Sequence, residues 1–176
     1  MRQLLVPALL VWIAIQHFRL RAVKSGADRD VLTGVLSQSA LRRRVDASEP
    51  FQGVVAVCDL DGFKAINDQF GHLVGDEVLR DVGNLLRASV RSADRVYRWG
   101  GDEFALLIDE SDPAVAHRRM EAIQSRLQEF RVRGHGACRI SISWGIAEGS
   151  GEPLQSALDR ADHAMYQAKN HQNRGQ

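Results

Sequence analysis

The chain has 176 residues, of which 44% are hydrophobic and 26% are charged, and its formal net charge is +1. This length fits one packed domain with a short appendage. The near-neutral charge lacks the basic face that duplex nucleic acid requires, so we expect no nucleic-acid partner. Cys58 and Cys138, both in apolar stretches, are too few for a disulfide framework and are typical of a reducing compartment.

Residues 1–25 differ from the rest of the chain. Residues 4–15 form an unbroken apolar run, and Arg19, Arg21 and Lys24 follow it. A transmembrane helix needs about 20 apolar residues, so this run is short. Three alternatives stay open: a tilted or truncated membrane anchor over residues 4–18, a segment that resembles a signal peptide, and a helix that pairs with a partner. Basic residues after the run would hold the following domain in the cytoplasm.

The remainder of the chain predicts helices and strands in alternation. Ser39 is the expected N-cap of a first helix. Residues 53–63 are a short run that is typical of a buried strand and ends in acidic residues and a glycine. The elements that follow are a short helix closed near Gly71, a helix over 75–91, a hairpin over 95–109 with a two-residue turn, a helix over 112–130, a strand over 138–149 and a helix over 152–170. This order predicts an α/β sandwich with an antiparallel element.

Two acidic pairs stand beside these strand ends. Asp59 and Asp61 follow the first strand, and Asp102 and Glu103 follow Gly100-Gly101 at the hairpin. Carboxylates that converge from two strands suit Mg²⁺ or Mn²⁺ together with substrate phosphates. The alternative is that these acidic residues are simply exposed to solvent at turns. The spacing by itself therefore indicates only a candidate metal site.

Three separated blocks resemble the GGDEF family, the diguanylate cyclases. They are residues 100–104, "GGDEF"; residues 59–79, "DLDGFKAINDQFGHLVGDEVL"; and residues 30–41, "DVLTGVLSQSAL". Together they extend the resemblance over nearly all of residues 28–170. It implies a domain over 26–172, followed by a tail at 173–176, and an α+β sandwich of the nucleotide-cyclase palm type. The central sheet of that fold has five mostly antiparallel strands flanked by helices.

The resemblance also implies an activity. Members of the family join two GTP molecules into cyclic di-GMP and release two pyrophosphates, with two Mg²⁺ or Mn²⁺ ions per active site. Each subunit holds one GTP, so a homodimer is required, and the first 25 residues are the candidate pairing device. The expected location is the bacterial cytoplasm, with the N-terminal segment as a candidate inner-membrane anchor.

The resemblance carries over roles residue by residue. It implies Asp59, the Leu60 carbonyl and Asp102 as metal ligands, and Asp102, Glu103 and Lys64 as catalytic residues. Phosphate contacts would come from Gly62, Phe63, Gly100, Gly101 and Lys169, guanine contacts from Asn67 and Asp76, and a further substrate-side contact from His72. Arg91 and Asp94 form the RxxD pattern of the family's product-inhibition site, although the same spacing also suits a weak surface ion pair. Solvated or helix-end roles are the alternatives for Lys64 and His72.

Departures from the family pattern occur at two places. Ser37-Gln38 replaces an Asn-Arg pair, and Asn173 stands where an arginine is expected, with Arg174 one position later. Two other functions stay open: a module that binds GTP or cyclic di-GMP without turnover, and a cyclase of altered base choice that makes a mixed dinucleotide.

Overall fold

The structure is a computed structural model that describes residues 28–129 and 140–174. Its helices and strands follow one another in the predicted order. They are α1 (Gln38–Asp46), β1 (Pro50–Leu60), α2 (Phe63–Phe70), α3 (His72–Ala88), β2 (Arg95–Arg98), β3 (Glu103–Ile108), α4 (Pro113–Glu129), β4 (Ile142–Pro153) and α5 (Leu154–Arg174).

The four strands form one sheet in the order β2-β3-β1-β4, and all neighbouring strands are antiparallel. The fold class is the predicted one, but the described residues form four strands where five were expected. At the outer edge of β2, Leu36 forms an isolated bridge to Tyr97. The Leu36 amide donates to the Val96 carbonyl at 2.8 Å. This single bridge extends the sheet without making a fifth strand.

Helices cover both faces of the sheet. On one face, α2, α3 and α4 pack against alternate residues of β1, such as Ala56 and Cys58. On the other face, α1 and α5 pack against the residues between them, such as Val55 and Val57. Because successive side chains of a strand point to opposite faces, a strand covered on both sides must be apolar throughout. Residues 53–60 are therefore fully buried, and β1 carries its first acidic side chain only at Asp59.

Several predicted boundaries are corrected. The first helix begins earlier than expected, because Ser37, not Ser39, is its N-cap and accepts from the Ala40 amide at 3.3 Å. The long helix begins at His72, not at residue 75. The predicted two-residue hairpin turn is a loop over residues 99–102, because the strands stop at Arg98 and resume at Glu103.

Parts of several predictions lie outside the described residues. These are the segment 1–25, residues 26 and 27 of the predicted domain, residues 130–139, which include Cys138, and residues 175 and 176 of the predicted tail. The last helix runs to Arg174, so residues 173 and 174 continue it. Within residues 28–129 and 140–174, none of the helices has the length and hydropathy needed to cross a membrane.

Candidate active site

The acidic residues meet where β1 ends and β3 begins. Asp59 pairs directly with Glu103 in the antiparallel register, so the two side chains stand on the same face of the sheet as close neighbours. The Leu60 amide donates to the Asp102 carbonyl at 3.3 Å. The structure therefore places Asp59, Leu60, Asp102 and Glu103 close together.

Lys169 of α5 reaches this cluster from the covering helix layer. Asp59 continues the alternation of Val55 and Val57, so its side chain faces α5. There its Oδ1 accepts a hydrogen bond from Lys169 Nζ. Asp59 is 8% exposed, and a carboxylate buried to that extent needs a cation beside it. Lys169 is thus the nearest positive charge to the acidic cluster in the part of the chain described.

A cavity of about 400 Å³ opens beside these groups. Its lining joins the strand ends to one face of α5 and consists of Asp59, Glu103, Asp162, Met165, Tyr166, Lys169 and Asn170. Asp162 and Tyr166 were missed by the sequence analysis. Their signal was present, because Asp162, Tyr166 and Lys169 recur at the four- and three-residue spacing of one helix face.

The carboxylates of the cluster repel one another. Burial, followed by the charge of Asp59, raises the pKa of Asp102. Burial and the charges of Asp59 and Asp102 likewise raise the pKa of Glu103. Burial alone would lower the pKa of Lys169, but its hydrogen bond to Asp59 and the surrounding carboxylates raise it instead. These directions describe an excess of negative charge that one ammonium group does not neutralise.

The donor set fits a divalent cation. Oxygen ligands from carboxylates and a backbone carbonyl are those that Mg²⁺ prefers, with the remaining positions left to water and substrate phosphates. Among the described residues, no three acidic, histidine or cysteine side chains are arranged as a complete metal site. A cation held by these oxygens would need water or substrate oxygens to complete its coordination sphere.

The two hairpin glycines differ in their surroundings. A Cβ on Gly100 would lie 2.2 Å from Glu103 Oε2, whereas a Cβ on Gly101 would meet nothing within 4 Å. At Gly100 the Glu103 side chain occupies the space that a Cβ would take, whereas at Gly101 that space is open.

The hairpin loop is braced from the opening element of the domain. Arg98 Nη2 donates to the Gly101 carbonyl at 2.6 Å, and Arg98 Nη1 donates to Asp30 Oδ1 at 3.2 Å. Asp30 also accepts from the Thr33 hydroxyl at 2.6 Å. Burial raises the pKa of Asp30, but the hydrogen bonds from Thr33 and the charge of Arg98 outweigh burial and lower it. Arg98 therefore supports the loop that carries Asp102.

The turn after β1 contains a residue in the left-handed conformation. Gly62 has a φ of +69° and is the N-cap of α2, and this left-handed conformation favours glycine. Phe63 opens the helix and packs against the core. Lys64 comes next and is exposed, so it is available to a ligand as well as to solvent.

The predicted guanine contacts lie on α2 and α3. A Cβ on Gly75 would come within 1.9 Å of Asn67 Oδ1, so the Asn67 side chain lies directly over Gly75. Asp76 is the next residue of α3 and is exposed. The missing side chain at position 75 thus gives Asn67 its place against α3, one residue before Asp76. His72, the first residue of α3, is exposed one turn earlier.

Asp94 of the RxxD pattern is a buried structural residue. Its Oδ1 accepts from the Asp109 amide at 2.9 Å. Its Oδ2 accepts from the Arg91 amide at 2.7 Å and from Arg119 Nη1 at 2.5 Å. Arg91 itself has a largely exposed side chain, 3.8 Å from Glu110. Asp94 therefore ties its loop to β3 and α4, and a direct contact of Asp94 with a product stays a prediction.

Comparison with known proteins identifies the family. Residues 27–175 match the family described as diguanylate cyclase, GGDEF domain, and the chain belongs to this family. The chain is similar to the bifunctional diguanylate cyclase/cyclic di-GMP phosphodiesterase MucR of Pseudomonas aeruginosa, with 45% identity over 118 aligned residues. The alignment covers 65% of this chain and 17% of MucR.

Solved structures support the same assignment. The diguanylate cyclase SiaD of Pseudomonas aeruginosa, solved with its activator SiaC, matches with a TM-score of 0.80 and 30% identity, covering 97% of this chain and 69% of that one. The coiled coil and GGDEF domain of DgcB from Caulobacter crescentus, solved with cyclic di-GMP, match with a TM-score of 0.77 and 28% identity, covering 94% and 95%. The chain spans only 17%, 48% and 55% of the length of three curated relatives, of which MucR is the first.

The Asp94 contacts make a prediction about stability. The Asp94 side chain is 1% exposed, and Asp94→Ala would leave Arg119 and two amides without their acceptor. Breaking a buried ion pair in this way should lower the free energy of unfolding by about 3 kcal/mol. Arg91→Ala, at an exposed position, should cost less than about 1 kcal/mol. Urea denaturation of both variants measures the difference, and equal costs would contradict a structural role for Asp94.

Proposed function

We propose that this chain is an active diguanylate cyclase domain, which condenses two GTP molecules into cyclic di-GMP and two pyrophosphates. The observation that carries the proposal is the meeting of Asp59, Asp102 and Glu103 beside the open backbone of Gly101, with Lys169 as their counter-charge. Excess negative charge beside a cavity is what a site for metal-bound triphosphate requires. Membership of the family supplies the reaction.

The reaction is a phosphoryl transfer between two nucleotides. The 3′-hydroxyl of one GTP attacks the α-phosphate of the other, a new P–O bond forms, and the bond between the α- and β-phosphates breaks to release pyrophosphate. A second, reciprocal step closes the ring. Asp102, whose pKa is raised by burial and by Asp59, accepts the hydroxyl proton in our proposal.

Two Mg²⁺ or Mn²⁺ ions would be held by Asp59, the Leu60 carbonyl and Asp102, with Glu103 beside them. When bound, such ions lower the pKa of the attacking hydroxyl and neutralise charge on the phosphates. Lys169 already contacts Asp59 and would turn to the terminal phosphates once cations balance the carboxylates. Gly101 leaves room for the α-phosphate, and the turn at Gly62 and Phe63, with Lys64, would receive the β- and γ-phosphates.

Asn67 and Asp76 would select guanine. A carboxylate accepts from the N1–H and the N2 amino group of guanine, and an amide both donates and accepts. Adenine lacks that donor edge and would leave Asp76 unpaired. A mismatch of this kind in a site built for hydrogen bonding costs orders of magnitude in specificity.

Turnover would need two subunits. In our proposal each domain holds one GTP, and two domains face each other so that each 3′-hydroxyl meets the opposite α-phosphate. The relatives named above are longer than the region that matches this chain. In our proposal, segments outside the catalytic domain would control the pairing. We further propose that the catalytic domain works in the bacterial cytoplasm, where GTP is available.

Feedback inhibition would act through Arg91. Its guanidinium is exposed and offers two parallel donors to a guanine edge. Asp94 holds the Arg91 amide at 2.7 Å and would present the arginine, whether or not it also touches the product. Binding of cyclic di-GMP there would keep two domains from reaching the productive arrangement.

Replacing Asp102 tests the proposed activity. We expect the purified wild type, incubated with GTP and Mg²⁺, to form cyclic di-GMP. Asp102→Asn should slow the reaction by at least about 100-fold. The variant should be no less stable than the wild type, because the neutral amide relieves repulsion from Asp59 and Glu103. Chromatography of the products and urea denaturation measure the two effects. Tight nucleotide binding by the wild type with no product would instead identify a sensor module.

Replacing Gly75 tests the guanine site. Gly75→Ala would push the movable Asn67 side chain from its place, so the fold should tolerate the change while the guanine contact is lost. We expect the KM for GTP to rise about tenfold, which corresponds to about 1.4 kcal/mol. Arg80→Ala, exposed on the next turn of α3, is the matched control. A KM that stays unchanged in folded Gly75→Ala would count against Asn67 as a base contact.

Replacing Arg91 tests feedback. Loss of a charged hydrogen-bond donor worth about 1.5–3 kcal/mol should raise the cyclic di-GMP concentration that halves the initial rate by about 10- to 100-fold. Each variant is compared with its own uninhibited rate, so a change in basal turnover does not affect the result. Arg42→Ala, an exposed arginine of α1, serves as the control. Equal inhibition of Arg91→Ala and wild type would refute the proposed site.

A further inference from the structure

Asp61 lies two residues from Asp59, yet its contacts are of another kind. Its Oδ2 accepts from the Ser141 hydroxyl at 2.8 Å, and its Oδ1 accepts from the Ser143 hydroxyl at 2.6 Å. The Asp61 amide also donates to the Ser141 carbonyl at 3.0 Å. Ser143 is completely buried. The end of β1 is thus fastened to the start of β4 by three hydrogen bonds around one aspartate.

These bonds fix the direction of a neighbouring carbonyl. In a planar trans peptide the N–H and the C=O of the same unit point in opposite directions. The N–H of the Leu60–Asp61 peptide points to Ser141, on the β4 side of the strand. The Leu60 carbonyl must therefore point away from β4, towards β3. The Leu60 amide points the same way, because it donates to the Asp102 carbonyl at 3.3 Å.

We propose that Asp61, Ser141 and Ser143 are positioning residues that present the Leu60 carbonyl to the divalent cations of the active site. This inference rests on the proposed function, in which that carbonyl is a metal ligand. A backbone ligand has no rotamer to adjust, so its aim depends on the hydrogen bonds of its own peptide. The Asp61 amide makes that hydrogen bond to the Ser141 carbonyl. The Asp61 carboxylate reinforces it by accepting from the hydroxyls of Ser141, just before β4, and Ser143, on β4. Outer partners of this kind typically change metal affinity by 10- to 100-fold when they are removed.

The charge of Asp61 also has a local effect. It adds to the carboxylates that raise the pKa of Lys169, although Asp61 makes its own hydrogen bonds to serine hydroxyls and Lys169 bonds to Asp59. Asp59 and Asp61 therefore have different roles. Asp59 faces the cavity, and Asp61 holds the backbone between the two residues.

Binding of Mn²⁺ together with a non-hydrolysable GTP analogue tests the inference without turnover. Electron paramagnetic resonance gives the Mn²⁺ concentration for half-saturation. We expect the double variant Ser141→Ala, Ser143→Ala to raise that concentration at least about tenfold. Asp61→Asn, which keeps one acceptor oxygen, should have a smaller effect. Ser150→Ala is the matched control, because Ser150 lies on the same strand and bonds to Glu152.

Amide hydrogen exchange supplies a second measurement on the same proteins. The double variant should exchange faster at residues 60–64 and unchanged at residues 104–108 of β3, which would exclude general unfolding as the cause. Unchanged Mn²⁺ affinity in the double variant would overturn the inference. A second result would also overturn it: Asp61→Asn binds Mn²⁺ more weakly while the double serine variant does not. That result would make Asp61 a direct ligand of the ion. Wild type that binds Mn²⁺ and the analogue without turning over GTP would contradict the proposed function, while the binding comparison would still decide this inference.

Discussion

Burial of the Asp59 carboxylate at the end of the central strand is the constraint on which the site depends. Asp59 is 8% exposed, so its negative charge needs a positive partner. The carboxylates of Asp102 and Glu103 lie beside it and add further negative charge. Lys169 offsets part of the charge, while burial and mutual repulsion keep the pKa values of Asp102 and Glu103 raised. The folded protein therefore holds a concentration of negative charge at the mouth of a cavity, and cations are the natural means of relieving it.

The rest of the domain can be understood as support for that cluster. The apolar length of β1, buried on both faces, fixes Asp59 in the register that opposes Glu103. Helix α5 packs closely enough on β4 that a Cβ at Gly145 would lie 2.2 Å from the Met165 amide, and this close contact brings Lys169 over the strand ends. On the far side, Arg98 links the hairpin loop to Asp30. Fold stability and site geometry are thus properties of the same contacts.

Residues of one chemical type take different roles according to what the fold places next to them. Asp59 faces the cavity, Asp61 accepts from two serine hydroxyls, and Asp94 is enclosed by Arg119 and two amides. All three belong to short acidic motifs in the sequence. Only Asp59 has the surroundings of a candidate metal ligand, and Asp94 has those of a buried ion pair. A motif therefore identifies the position of an acid better than its function.

The sequence by itself determined the order of elements, the family, and the strand end at which the acids collect. These follow from local periodicity and from motifs that occupy consecutive positions. The predictions of a two-residue hairpin turn and of an N-cap at Ser39 were wrong. Turn length and capping depend on a few competing local hydrogen bonds, which the sequence pattern does not rank. Only the tertiary structure decided that Glu103 opposes Asp59, that Asn67 rests on Gly75, and that Ser141 and Ser143 hold Asp61. Each of these contacts joins segments that are distant in the chain or on separate elements, and their pairing is fixed by packing of the sheet and helices as a whole.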